Sequence, residues 1–81
     1  MQSYWFQSAQ SRLGIRGARV YVDRRRMITA ALKLFRKRSH DANDELYVYE
    51  GSSDYYAVLD HLVGWICYLP DGKSLQWVDR E

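Results

Sequence analysis

Two runs of cations are the groups in this sequence best placed to do chemistry: Arg24-Arg25-Arg26 and Arg36-Lys37-Arg38, with Lys33 between them. On a helix they would lie about 12 residues apart, ~18 Å at 1.5 Å per residue. Arginine and lysine neutralise phosphates and release counterions, so such a face binds nucleic acid without reading its sequence. The same field speeds docking onto an acidic protein surface. The candidate partner-binding residues are therefore Arg25, Arg26, Lys33, Arg36, Lys37 and Arg38. At about 100° per residue, Arg26, Lys33, Arg36 and Lys37 share one arc with Thr29. No acidic residue follows Asp23 in this stretch, so no i,i+4 carboxylate can neutralise them within the helix.

Aromatic residues form the second group. Tyr47 and Tyr49 alternate on one strand face, near Glu50 and Asp54. This reads as a secondary, acidic aromatic surface that suits a basic protein partner better than nucleic acid. Trp65 and Trp77 are expected in the core, because large aromatics dominate the energetics of small cores.

The remaining chemistry is thin. His40 to Glu45 gathers oxygen and imidazole groups, but an EF-hand would need glycine where Leu46 stands and glutamate where Ser52 stands. His40, His61 and Cys67 lack zinc-motif spacing. No metal and no cofactor are expected. His40 and His61 are the only candidates for an acid–base pair of the kind a metal-independent ribonuclease needs. No nucleophile elbow, phosphate loop, dinucleotide fingerprint or nucleic-acid-binding signature is present.

Charge is distributed unevenly. Residues 1–40 carry ten cations against Asp23 alone, a surplus of +9, and residues 41–81 carry two cations against nine carboxylates, or −7. Asymmetry of this kind points to a polyanion-binding face or a charge-complementary partner. The alternative is that the halves interleave and their charges pair, with Asp41, Asp44 or Glu45 folding over the basic arc.

The chain has 81 residues and a mass of 9.6 kDa, the size of one domain spanning 1–81. Hydrophobic residues make up 47% and aromatics 15%, enough apolar surface to exclude disorder. No apolar run reaches the length of a membrane span. The first residues lack the basic and apolar regions of a signal peptide. A single cysteine excludes a disulfide framework, and a reduced cytoplasmic setting fits best.

The elements that must position these groups can be read from periodicity. Ser3–Gln7 alternates like a short edge strand, and 8–17 reads as a loop around Gly14 and Gly17. Ala18–Val22 is a β-branched strand. Asp23 caps a helix over Arg24–Arg38, with Ile28, Ala31, Leu32 and Phe35 as its buried stripe and Met27, Ala30 and Leu34 widening it. A loop over 39–44 leads to a strand over Glu45–Glu50. Tyr55, Val58, Leu59 and Leu62 then follow helical spacing over Asp54–Val63, with Gly64 at the C′ position. Trp65–Leu69, the turn Pro70-Asp71-Gly72-Lys73 and Ser74–Val78 form a hairpin.

The predicted fold class is α+β, in the order (β)-β-α-β-α-β-β. It is a mixed four- to five-stranded sheet with two helices packed on it, a right-handed parallel crossover and a C-terminal hairpin. The expected core joins Val20, Ile28, Leu32, Phe35, Val48, Leu59, Leu62 and Ile66. Two helices cannot cover both faces of such a sheet, so aromatic surface is left for a partner or for a second copy in a homodimer. The sequence reads as a non-enzymatic interaction module of regulator or inhibitor type that docks a macromolecule. The alternative is a nucleic-acid-binding domain using the basic helix, followed by a small toxin-like ribonuclease.

Overall fold

Among the described residues, every strand is antiparallel to its neighbours. The structure, a computed structural model, describes residues 2–51 and 61–80. The elements are β1 (Gln2–Ser8), β2 (Arg16–Val22), α1 (Arg24–Arg38), β3 (Leu46–Glu50), β4 (His61–Tyr68) and β5 (Leu75–Asp79), with one 3₁₀ turn at Ser11–Leu13. The sheet order is β2-β1-β3-β4-β5.

The expected mixed sheet is therefore corrected to an antiparallel one. The crossover through α1 does join two strands of the same direction, β2 and β3, but β1 lies between them. β1 is thus an interior strand, not an edge. The predicted 8–17 loop is shorter than expected. β2 starts at Arg16, and its pairing slips between Phe6 and Gln7, leaving Gly17 as an extra residue at φ 73°. A glycine in the left-handed region is what such a bulge requires.

Among the described residues there is one α-helix, where two were expected over the whole chain. The last residues of the predicted second helix, 61–63, belong to β4, and the rest of it, with Leu59 and Asp54, lies outside the described residues. Gly64 is not a helix cap. It sits mid-strand opposite Asp79, and a Cβ there would lie 2.4 Å from the Val78 carbonyl and 2.5 Å from the Trp77 ring. The glycine lets Trp77 pack flat over the strand. Over 61–64, helical spacing was outweighed by close cross-strand packing, which no local pattern reports.

The capped helix and the hairpin are present as expected. The Asp23 carboxylate accepts the Arg26 N–H at 2.8 Å, satisfying a first-turn donor. At the hairpin, the Asp71 carboxylate accepts the N–H groups of Lys73 and Ser74, and Gly72 takes φ 70°. Those hydrogen bonds hold the Asp71 carboxyl below the usual carboxylate range.

The helix packs on one face of the sheet. Tyr4 and Phe6 of β1, Leu46 and Val48 of β3, and Ile66 of β4 are buried against Met27, Ala31 and Phe35. The helical stripe is thus rotated from the expected one. Met27, Ala31 and Phe35 are fully buried at i, i+4, i+8, whereas Ile28, Leu32 and Leu34 flank them half-exposed. Of the expected core, Phe35, Val48 and Ile66 are buried, and Val20 and Leu62 are half-buried. Trp77 is half-buried at the rim of this face.

Phe35→Ala should therefore destabilise the protein by about 3–5 kcal/mol. Leu32→Ala should cost clearly less, since its side chain is only partly removed from water. Urea melts of the two variants check the order; a larger loss at Leu32 would place the wrong stripe inward.

Candidate interaction site

The outer surface of α1 follows from the stripe that holds its inner one. Taking Met27, Ala31 and Phe35 as inward, Arg25, Thr29 and Arg36 fall within about 40° of one another on the far side, and Arg26, Lys33 and Lys37 form an adjacent row. All six side chains are exposed. The five cations stretch over about 18 Å of helix axis.

The two remaining basic residues of the helix point elsewhere. Arg24 and Arg38 lie on the inward half of the cylinder. Arg24 forms an ion pair with Asp79 at the end of β5. Arg38 donates to the Leu13 carbonyl at 3.2 Å, tying the helix end to the 3₁₀ turn. Arg38, expected on the binding face with the other cations, thus also ties α1 to the β1–β2 connection and lies apart from the outer five.

Among the described residues, the carboxylates of 41–81 do not fold over the outer arc of α1. Asp41 accepts the Asn43 N–H, Glu45 accepts the Tyr47 hydroxyl, and Asp79 takes Arg24 and the Trp77 indole N–H. Arg26 has only its own cap residue Asp23 within ion-pair range, at 3.8 Å. Among the described residues, no ion pair or hydrogen bond engages the side chains of Arg25, Lys33, Arg36 or Lys37. Like charges at this density repel one another, which costs the helix some stability.

Asp44 is the buried carboxylate, and it organises the end of the molecule from which the helix departs. Its side chain is 0% exposed. It is paired with Arg12 and accepts the Ser39 hydroxyl at 2.8 Å and the N–H groups of His40 and Asp41. Burial pushes its carboxyl up, but these four donors outweigh that and hold it below the usual carboxylate range. Ser39 gives its only proton to Asp44, so the Tyr68 hydroxyl donates to Ser39 across 2.8 Å. Sequence reading missed this cluster because Arg12 and Asp44 are 32 residues apart; the Asp-Asn loop signalled only a turn.

The expected aromatic surface is split by strand alternation. Tyr47 and Tyr49 lie on the sheet face opposite α1. Glu50 lies on the other, directly across from Tyr4 and His61. There burial, and then Glu50, push the Tyr4 phenol up. Grouping Glu50 with the two tyrosines is thus corrected, and Asp54 lies outside the described residues. Tyr47 and Tyr49 are joined instead by Trp5 and Trp65. Trp5 stacks on Tyr49 with ring centroids 4.3 Å apart, and Trp65 pairs with Tyr47. Alternation in β1 was the signal that could have found Trp5. Burial, and then Glu45, push the Tyr47 phenol up.

The histidines are not brought together. His40 lies beside Arg12, near the Tyr68 end of β4, and His61 begins that strand. Seven residues of strand separate the two ends, ~23 Å. A cavity of 290 Å³ at the end of the β1–β2 pair, beside Ser8, Ser11 and Arg16, contains neither histidine. Among the described residues no helix is long and apolar enough to cross a membrane. No protein-family model matches the chain, and no curated protein or solved structure matches it either.

The Asp44 carboxyl has its ordinary value, 3.8, in the unfolded chain and a lower one when folded. Its contribution is therefore present above pH 3.8 and is lost as pH falls through the folded value. Asp44→Asn should be less stable than the native protein at pH 7, and the gap should narrow below about pH 4. Urea midpoints at pH 7 and pH 3 test this; a gap that does not change with pH would remove Asp44 from this role.

Proposed function

We propose that this chain is a non-enzymatic interaction module that docks an acidic protein partner through the outer face of α1. One observation carries the reading. Arg25, Arg26, Lys33, Arg36 and Lys37 project from the side of the helix opposite its buried stripe, while the carboxylates near them are engaged elsewhere. A rigid helix presents these charges at fixed spacing, so little ordering is needed on contact. An acidic partner surface gains association rate from the field and register from the paired charges.

A nucleic-acid backbone is the second reading. It is favoured by the length of the arc, ~18 Å, which reaches several phosphates. Such binding would weaken steeply with salt and would not depend on sequence.

The double variant Lys33→Glu/Arg36→Glu tests the site. Both residues are exposed and without a partner among the described residues, so the fold should survive, as followed by circular dichroism. Binding to polyglutamate should fall by tenfold or more, about 1.4 kcal/mol. Unchanged binding would remove the helix face from the reading. Tighter binding to a duplex DNA than to polyglutamate at equal salt, also lost in the variant, would favour the second occupant.

A further inference from the structure

The connection between β1 and β2 surrounds a cavity of 290 Å³ that is partly open to solvent. Its wall includes Gln7 on β1, Ala9, Ser11, Gly14 and Ile15 in the connection, and Arg16 at the start of β2. The frame of this wall is held in place. Leu13 and Ile15 are buried. The Ser8 N–H donates to the Ile15 carbonyl at 2.9 Å, and the Ser8 hydroxyl is shared between the Gln10 and Ile15 carbonyls. Arg38 secures the Leu13 carbonyl from the helix side. A cavity framed in this way needs little ordering when a ligand enters.

The bulge at Gly17 aims Arg16 into the wall. Ala18 pairs with Phe6, on the side where α1 packs. Regular alternation would place Arg16 on that same side, two residues away. The register slips between Phe6 and Gln7, so Arg16 pairs with Gln7 instead, and Ile15 turns into the core. Bulges re-aim side chains in this manner beside functional sites.

The polar groups of the wall are suited to an anion. Among the described residues, no hydrogen bond or ion pair engages the side chains of Gln7, Ser11 or Arg16. Each of the three can donate. No carboxylate among the described residues lines the cavity. In the adjoining 39–45 loop, Asp44 is held by Arg12 and Ser39, Asp41 accepts the Asn43 N–H, and Glu45 accepts the Tyr47 hydroxyl. A second guanidinium stands behind Gly14, where a Cβ would lie 3.2 Å from an Arg38 nitrogen. The partner of that guanidinium is a neutral carbonyl, so its charge is not cancelled. Arginine's planar fork takes two oxygens of an oxyanion at once. Ser11 and Gln7 then supply donors for a third oxygen, which a phosphate has and a carboxylate lacks. The volume lies at the small end of ligand pockets, which leaves room for a compact organic group against Ala9 and Ile15.

We infer that this cavity binds a small phosphate monoester, with the Arg16 guanidinium and the Ser11 hydroxyl on the phosphoryl oxygens and the Gln7 amide at the rim. The site is separate from the outer face of α1 and does not rest on the docking role assigned to that face.

Phenyl phosphate, titrated at constant ionic strength and followed in amide proton–nitrogen spectra, tests this. The signals of 9–17 should move along saturating curves, and those of 25–37 should stay in place. Arg16→Leu should weaken binding about tenfold or more, as expected for loss of charge-assisted hydrogen bonds. Ser11→Ala should weaken it by a smaller factor. Both side chains are exposed, so the fold should persist, as circular dichroism checks. Benzoate, which offers the same ring with two oxygens in place of three, should bind clearly more weakly. Absence of a saturable shift over 9–17 at high millimolar phenyl phosphate would overturn the inference. So would shifts centred on α1, or an unchanged affinity in Arg16→Leu. Benzoate binding as tightly as phenyl phosphate would overturn the assignment to a phosphate.

Discussion

The buried carboxylate of Asp44 is the constraint on which the rest of the arrangement depends. A charge removed from water is tolerated only when donors surround it. Here they come from three separate parts of the chain: Arg12 from the β1–β2 connection, Ser39 from the helix exit, and the backbone of 40–41 from the loop itself. Satisfying one residue therefore ties the helix C-terminus to the sheet. Tyr68 extends the link to β4 through Ser39. Gln10 adds a further tie, with its amide oxygen accepting the Glu45 N–H and its amide nitrogen donating to the Asn43 carbonyl. The axial rotation of α1 is set at one end by these bonds and along its length by Met27, Ala31 and Phe35. The direction in which the outer cations point follows from that rotation.

Among the described residues a single α-helix lies on the five-stranded sheet, which leaves the two faces unequal. The covered face is closed by apolar packing, with Gly64 omitted from the packing so that Trp77 can lie over it. The other face is aromatic and polar by turns, and it combines strands from both halves of the sequence. β1 and β2 come from the basic half, and β3 and β4 from the acidic half, yet β1 and β3 are neighbours. Sequence-level charge asymmetry is thus dispersed across the sheet and retained on the helix. That difference is why the helix arc keeps its field while the sheet face reads as cationic at one edge only.

Local pattern was enough for the parts governed by short-range physics. Asp23, the 3.6-residue period and the cations of the last turn define α1 to its boundaries, because capping and amphipathicity act within a few residues. Pro70-Asp71-Gly72-Lys73 defines the hairpin for the same reason. The outer cations were legible too, since the inward stripe and the outward arc are two readings of one periodicity. Even so, a rotation of the stripe toward Met27 brings Arg25 to the outer side and leaves Arg38 on the inward half, where it donates to the Leu13 carbonyl. Neighbouring positions on a helix differ by about 100°, so a small error in the stripe reassigns residues at its margins.

Tertiary structure alone decided what depends on contacts distant in sequence. The placement of β1 between β2 and β3, the strand over 61–63, the pairing of Arg12 with Asp44, and the meeting of Trp5 with Tyr49 each join residues far apart along the chain. No local window contains both members of such a pair. The sequence by itself determined a basic helix with a defined inner and outer side, a hairpin, and an excess of aromatic residues. Which aromatics share a face, and which cations lie beside them, was decided by strand order and register, because a one-residue shift in register turns every side chain of a strand to the opposite face.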